Sequence, residues 1–250
     1  MSNILIDLID HNFEENSALK INKGKDPIVK SGEDKYLCYA IETHVITKDD
    51  DLKDIVKDYI KPVFKKGDII FFSEKMVACT QNRAIPLVDI NAGFWAKLLS
   101  KYVTKTPAGI GLGMPETMQC AIDECGLIKI FAAAAASLVG KTFGFDGWFY
   151  KVAGPKAAGI DGPCSWTIFP YNKCVVLTPE SPSEISNQIS QDFDTPVAIV
   201  DLNDLGGEIL GKSANAPDDK VLLDLLSQNP LGQARQSTPI GILRPLNKLG

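Results

Sequence analysis

Carboxylates at the ends of apolar runs are the groups in this sequence best suited to chemistry. PVAIVDLNDLGG, residues 196–207, reads as an apolar strand ending in Asp201 and Asp204 and followed by two glycines. Such carboxylates can hold a divalent cation over a phosphate, or they can simply end a strand and open a turn. A further carboxylate, Asp161, stands in KVAGPKAAGIDGPCSW, residues 151–166. Small residues there would let backbone approach a ligand closely, while Asp before Gly is also ordinary turn chemistry. Ser73, Glu74 and Lys75 follow the apolar run DIIFF, and QNR follows at 81–83. Polar and cationic groups just beyond a buried strand are well placed for ligand contacts in open α/β sheets, and a solvated strand end accounts for them equally well.

Two glycine-rich stretches invite a phosphate. KTPAGIGLGMPET, residues 105–117, lies just before a predicted helix, so the backbone amides around Gly109, Gly111 and Gly113 can cradle an anion; plain turn chemistry is the competing reading. Gly140-Lys141-Thr142 departs from the phosphate-binding loop GxxxxGK[ST]: Ala135 replaces its first glycine, and an Ala-rich helical run, rather than a strand, precedes it. Only His11 and His44 are available as imidazoles, and neither has a sequence-evident partner, which argues against a nucleophile triad. In NPLGQARQSTPIGILRP, Gln233, Arg235, Gln236 and Thr238 can line a substrate site or a surface loop.

These residues need a scaffold, and the periodicity supplies one. YLCYAIETHVI predicts a strand, DDLKDIVKDYIKPVF a helix and DIIFFS a second strand. Helices are predicted over NAGFWAKLLSKYV, over PETMQCAIDECG with its first-turn proline and glycine stop, and over the Ala-rich LIKIFAAAAASLVG, read as buried. GWFYKV, KCVVLTP, PVAIVD and PIGILRP read as strands, SPSEISNQISQDF as a capped helix and KVLLDLLSQ as a last helix. The alternation predicts an α/β fold with mixed α+β layers. Residues 1–35 lack a pattern and are read as an N-terminal extension, with the domain proper spanning 36–250. The aromatic residues around the 151–166 loop, among them Phe143, Phe145, Trp148 and Trp166, are read as core or interface.

Composition limits the functions. The 45 % hydrophobic and 23 % charged residues are those of a globular protein, and the net charge of -5 offers no basic face for nucleic acid. No run reaches the roughly 20 apolar residues that span a bilayer, and the acidic N-terminus is unlike a signal peptide. Six cysteines without CxxC or zinc spacing fit reduced thiols, so a cytoplasmic protein is expected.

Taken together, GDIIFFSEKMVACTQNR at 67–83, AAGIDGP at 157–163, VVLTPESPSEIS at 175–186 and VAIVD at 197–201 resemble the coenzyme F420-0:L-glutamate ligase family. In VTKTPAGIGLGMPET, GWFYKVAG and NPLGQ the sequence resembles a divergent bacterial branch of that family. The resemblance implies a dimeric α/β scaffold of two intertwined subdomains that joins L-glutamate to a small-molecule carboxylate with GTP and Mg²⁺ or Mn²⁺. A carboxylate is a poor acyl donor, so GTP would make it an acyl phosphate, which the glutamate amine then displaces. By the same resemblance Asp161 and Asp201 match the family's metal aspartates, and Thr43, His44, Ser73, Glu74 and Lys75 match its nucleotide contacts.

The departures lie around the second aspartate. The family's next residue is a metal-binding threonine; here it is Leu202, which leaves Asn203 or Asp204 to substitute. Gly162-Pro163-Cys164 replaces a Ser-Asn, and DLGGEILGKS replaces a run with arginines and a tryptophan. Two alternatives therefore stand beside the ligase: a non-catalytic protein that binds a nucleotide or flavin-like ligand, and a metal-dependent hydrolase on the same scaffold.

Overall fold

The structure, a computed structural model, describes residues 18–103, 110–145, 147–204, 206–233 and 235–246. Gly109 lies outside the described residues. The chain forms two units, one of residues 1–81 and 179–250 and the other of residues 82–178.

The first unit opens with β1 (Leu19–Lys20), β2 (Ile28–Ser31) and β3 (Asp34–Ile41). β2 and β3 form a hairpin in which Ile28 opposes Leu37 and Ser31 opposes Asp34, while β1 pairs with the other end of β3 at Ile41. Residues 19–31 thus contribute strands to the sheet, and the boundary expected near residue 35 falls inside the hairpin. Strands of two and four residues carry too few side chains for alternation to reveal them. α1 (Leu52–Ile55) starts on the Asp51 carboxylate, which accepts the Lys53 N–H at 2.7 Å, and continues as a π-helical turn over Val56–Ile60. β4 (Ile69–Ser73) leads straight into α2 (Glu74–Thr80), a helix that the sequence reading treats as a strand end.

The second unit contains β5 (Ala84–Pro86), α3 (Phe94–Leu99), α4 (Pro115–Cys125), α5 (Leu127–Thr142), α6 (Trp148–Ala153), α7 (Pro155–Ala158) and β6 (Cys174–Val176). Two sequence expectations fail here. GWFYKV is a helix: Phe149 and Ala153, four residues apart, both face the unit's core, and helical spacing outweighs the β-branched and aromatic composition. The Ala-rich α5 buries only Ile130, Ala133 and Gly140, and Ile128 and Leu138 are 87 % and 69 % exposed. Alanine favours the helix whether or not the helix is buried, so composition did not report on exposure. Phe143, Phe145 and Trp166 are likewise exposed in this chain.

The chain returns to the first unit with α8 (Pro182–Phe193), β7 (Val197–Asn203), β8 (Gly206–Lys212), α9 (Asp219–Leu226) and β9 (Ile240–Pro245). Ser181, expected to cap α8, has φ 48° and makes no side-chain cap bond; Pro182 at the first turn, with its fixed φ, begins the helix instead. The sheet runs β1-β3-β9-β4-β7-β8 with β2 paired to β3. β4 and β7 are parallel and the remaining pairs antiparallel, which gives the mixed α/β class expected.

Both sheet faces are covered. Tyr39, Ile70, Phe72, Ile199 and Ile242 point to one side, where Ile55, Ile60 and Ile189 meet them. Phe71, Ala198, Val200 and Leu243 point to the other, against Leu222, Leu225 and Leu226 of α9. Phe71 lies directly over Gly241: a Cβ there would sit 2.0 Å from the ring, so the glycine is what lets this ring fill the core. Among the described residues no helix is long and apolar enough to cross a membrane.

Candidate functional site

The sheet register gathers segments that are far apart in sequence. Ile41 of β3 and Phe72 of β4 both pair with Ile240, the first residue of β9. Phe72 and Ser73 pair with Ile199 and Val200 of the parallel β7. The next residues of each segment therefore emerge at one sheet edge: Thr43 and His44, then Glu74 and Lys75, then Asp201 and Asn203, with Ser237 to Pro239 leading in. Two main-chain bonds tie them, Thr43 N–H to Ser237 O and Ser73 N–H to Pro239 O, each 2.8 Å.

Strand alternation decides what β7 presents at this edge. Val197 and Ile199 join one core face, while Ala198, Val200 and Leu202 join the other. Leu202 therefore packs behind the sheet, and Asp201 and Asn203 share the opposite face. Directly across the ladder from Asp201 is Glu208 of β8. Paired positions on antiparallel strands hold their Cβ atoms roughly 4.5–5.5 Å apart, so two carboxylates stand side by side. Glu208 was missed by sequence reasoning because glycines at 206, 207 and 211 break the alternation that would have revealed β8.

Asp204 has a different environment. Its carboxylate takes Lys25 Nζ at 3.0 Å and Asn229 Nδ2 at 3.3 Å, and its N–H donates to Gln233 Oε1 at 2.9 Å. The Lys25 hydrogen bond, helped by Asn229, holds its pKa below the usual carboxylate value. Thr238 is buried, its hydroxyl donating to Leu231 O at 2.8 Å and accepting from Asn22 at 3.0 Å, whereas Arg235 and Gln236 are exposed.

His44 has the partners its sequence context concealed. Nδ1 lies 2.7 Å from the Tyr59 hydroxyl and Nε2 2.9 Å from Asp50 Oδ1. Partial burial raises the Asp50 pKa, but hydrogen bonds from Thr47 and His44 outweigh it and the net shift is downward. Thr43 is buried and its hydroxyl donates to His44 O. Glu74 is 3 % exposed at the start of α2, while Lys75 beside it is exposed.

Asp161, Gly111 and Gly113 belong to the second unit. Asp161 exchanges two 2.9 Å main-chain bonds with Val176, which fixes it as a rung beside β6. Gly159 is needed for that placement, because a Cβ there would meet Thr178 Cγ2 at 2.1 Å. Gly113 N–H closes a turn onto Ile110 O at 3.0 Å, ahead of the proline that opens α4. On the other side of Val176, β5 leads from Arg83, whose guanidinium pairs with Glu124 at 2.7 Å.

No group of three or more His, Cys, Asp or Glu side chains among the described residues forms a metal site by itself. Asp201 and Glu208 nonetheless fit Mg²⁺ or Mn²⁺: they are hard oxygen donors, and such ions are commonly held by one or two carboxylates, with phosphate oxygens and waters completing the shell.

Polar side chains gathered beyond the carboxyl ends of adjacent parallel strands are how α/β sheets bind small polar ligands, and that is the class this edge defines. The family model for F420-0:gamma-glutamyl ligase matches residues 40–201, and the chain belongs to that family. The match starts in β3 and stops at Asp201, so the rest of β7, β8 and β9 lie beyond it. No curated protein matches the chain.

Proposed function

We propose that the protein is a cytoplasmic, homodimeric ligase that uses GTP and a divalent cation to join L-glutamate to a small-molecule carboxylate through an acyl phosphate. Family membership supports the gamma-glutamyl ligase role in general. The observation that carries the finer reading is the sheet edge itself, where Thr43, His44, Lys75 and Asp201 come together from separate segments.

In this reading Lys75, exposed beside the buried Glu74, pairs with nucleotide phosphate oxygens. Asp201 and Glu208 offer the carboxylates of a cation site, and Asn203, on the same face, adds a neutral oxygen. A divalent cation there would neutralise phosphate oxygens as charge develops on them. The substrate carboxylate takes the γ-phosphoryl group with release of GDP; the glutamate amine then forms the C–N bond as the C–O bond to phosphate breaks, losing a proton. Asp50 orients the His44 imidazole at the site's margin. Asp161 is proposed as a metal-binding carboxylate of the second unit, and Arg235 and Gln236 as substrate contacts.

The test is to incubate the pure protein with GTP or ATP, Mn²⁺ or Mg²⁺, L-glutamate and candidate carboxylates, and to seek the amide by mass spectrometry. Nucleotide-dependent product that disappears in Asp201→Ala and Asp161→Ala is the expected result. Tight nucleotide binding without turnover would identify a non-catalytic binding protein, and nucleotide-independent release of phosphate or amine would identify a hydrolase.

A further inference from the structure

The helix α5 turns an uncharged apolar face to solvent. Its other side packs inward: Ile130 and Ala133 join the core of the second unit, and Gly140 lies under Trp148, where a Cβ would come within 2.9 Å of the indole. Away from that core stand Ile128, Phe131, Ala132, Ala135, Leu138 and Val139, with Thr142 closing the helix. At about 3.6 residues per turn all of them fall within about 60° of the Ala135 direction, and none carries a charge. Ile128 is 87 % exposed, Leu138 69 % and Val139 48 %. The face widens at Phe131, whose ring stands edge to face with Trp95 at 5.0 Å, and Trp95 stands edge to face with the exposed Phe94, also at 5.0 Å. Helix surfaces that face water carry polar and charged residues, so this one is suited to being covered.

The spacing of the stripe points to what covers it. Its residues stand three, four and seven positions to either side of Ala135, a pattern that reads the same from both ends. A second α5 laid antiparallel about a twofold axis at Ala135 therefore meets it turn for turn. Phe131 and Ala132 of one copy come level with Val139 and Leu138 of the other, and Ile128 comes level with Thr142. Alanine at the crossing lets the two helices approach closely. Lys129 and Lys141 flank the stripe on opposite edges, so Lys129 of one copy and Lys141 of the other stand on opposite sides of the helix pair. With a whole aromatic side chain counted at roughly 150–250 Å² and scaled by exposure, the stripe, Phe94 and Trp95 offer roughly 700 Å² per copy, close to the roughly 800 Å² per partner of a standard interface. A lipid surface is the poorer match: helices that lie in a membrane oppose their apolar face with a Lys/Arg-rich one, whereas α5 opposes it with the core of its own unit.

We infer that α5 forms the interface between two copies of this chain, which pair antiparallel through the stripe from Ile128 to Thr142 about a twofold axis at Ala135, with Phe94 and Trp95 extending the contact. The inference rests on the homodimer of the proposed function and names the surface that forms it.

Sedimentation velocity of the full chain over a concentration series tests it. The wild-type chain should dimerise, and Leu138→Glu and Ile128→Lys should each raise the dimer Kd roughly a hundredfold or more, since every substitution enters a twofold interface twice. Both side chains are exposed, so the variants should keep the circular dichroism spectrum of the wild-type chain. Under mild oxidation Ala135→Cys should give a disulfide-linked dimer above the wild-type background. Lys141→Cys should not, because antiparallel pairing sets the two 141 positions roughly 18 Å apart along the helix axis. A dimer that survives Leu138→Glu and Ile128→Lys would overturn this interface and leave the homodimer standing, whereas a wild-type chain that is monomeric throughout would overturn both. Cross-linking at 141 in place of 135 would overturn the antiparallel register. A monomer that floats with phosphatidylcholine–phosphatidylglycerol vesicles, and ceases to in Leu138→Glu, would overturn the proposal by assigning the face to a membrane. Amide formation assayed in the same variants reads the ligase chemistry separately.

Discussion

Glu208→Gln should make the protein more stable without cation and less responsive to it. Asp201 and Glu208 are directly opposed on β7 and β8, with Cβ atoms roughly 5 Å apart. Two like charges at that separation repel by about 0.8 kcal/mol in bulk water and about 3 kcal/mol at an effective dielectric of 20. Asp201 is half-buried and Glu208 exposed, which puts the repulsion near the lower figure, about 1 kcal/mol. Neutralising Glu208 removes it, so the cation-free variant should be more stable by up to about 1 kcal/mol, or about 2–4 °C in melting temperature. The cation response should move the other way. At a Mn²⁺ concentration near 100 Kd a bound ion stabilises by about 2.7 kcal/mol, and a tenfold weaker site leaves about 1.4 kcal/mol. Melting curves of both proteins with EDTA and with Mn²⁺, taken with a fixed nucleotide concentration, measure the two effects separately. An unchanged Mn²⁺ shift in Glu208→Gln would refute the pairing of this carboxylate with the cation.

Asp68→Ala should cost about 3–5 kcal/mol, because it strands a fully buried guanidinium: Arg244 donates to both Asp68 oxygens at 2.9 and 2.8 Å and to Val63 O at 2.8 Å. Urea unfolding measures that loss, and the paired change Asp68→Leu with Arg244→Met should recover most of it; a cost below about 1 kcal/mol for Asp68→Ala would contradict the argument. Tyr39 supplies a pH prediction. Burial pushes its phenol up from 10.0 to about 12, the nearby Arg244 opposing and Asp68 and Cys38 assisting. Its folded pKa is above its unfolded one, so its contribution is complete below pH 10 and is lost as pH rises from 10 through about 12. Unfolding midpoints across that range should fall less steeply in Tyr39→Phe than in the wild-type chain.

How far the sequence disclosed this protein depends on the length of the feature. Runs such as DIIFFS, PVAIVD and PIGILRP are buried on both faces, and continuous apolar character identifies such strands without help from neighbours. β1, β2, β5 and β8 stayed hidden for opposite reasons: the first three are two to four residues long, and β8 begins with two glycines. Trp148–Ala153 went wrong because six residues rich in Trp, Phe, Tyr and Val carry strand composition, while only the four-residue recurrence of Phe149 and Ala153 reveals the helix. At the candidate site the individual residues were legible and their neighbours were not. His44 could be named, but Asp50 and Tyr59 reach it from a loop and a π-helical turn whose geometry no spacing rule encodes.

Leu202 shows why a departure from a family pattern has to be judged on its strand. A non-coordinating residue after the Asp201 carboxylate looks like the loss of a ligand. In β7 that position alternates away from Asp201 and packs with Val200 and Ile209 against the α9 side of the sheet. A threonine there, on the same backbone, would face the same apolar neighbours, so the substitution at 202 alone does not remove an oxygen from the Asp201 face. That face also receives Glu208, paired with Asp201 across β8, a strand that lies beyond the stretch matched to the family. The proposed cation site therefore draws one carboxylate from within the family match and the other from the strand that follows it.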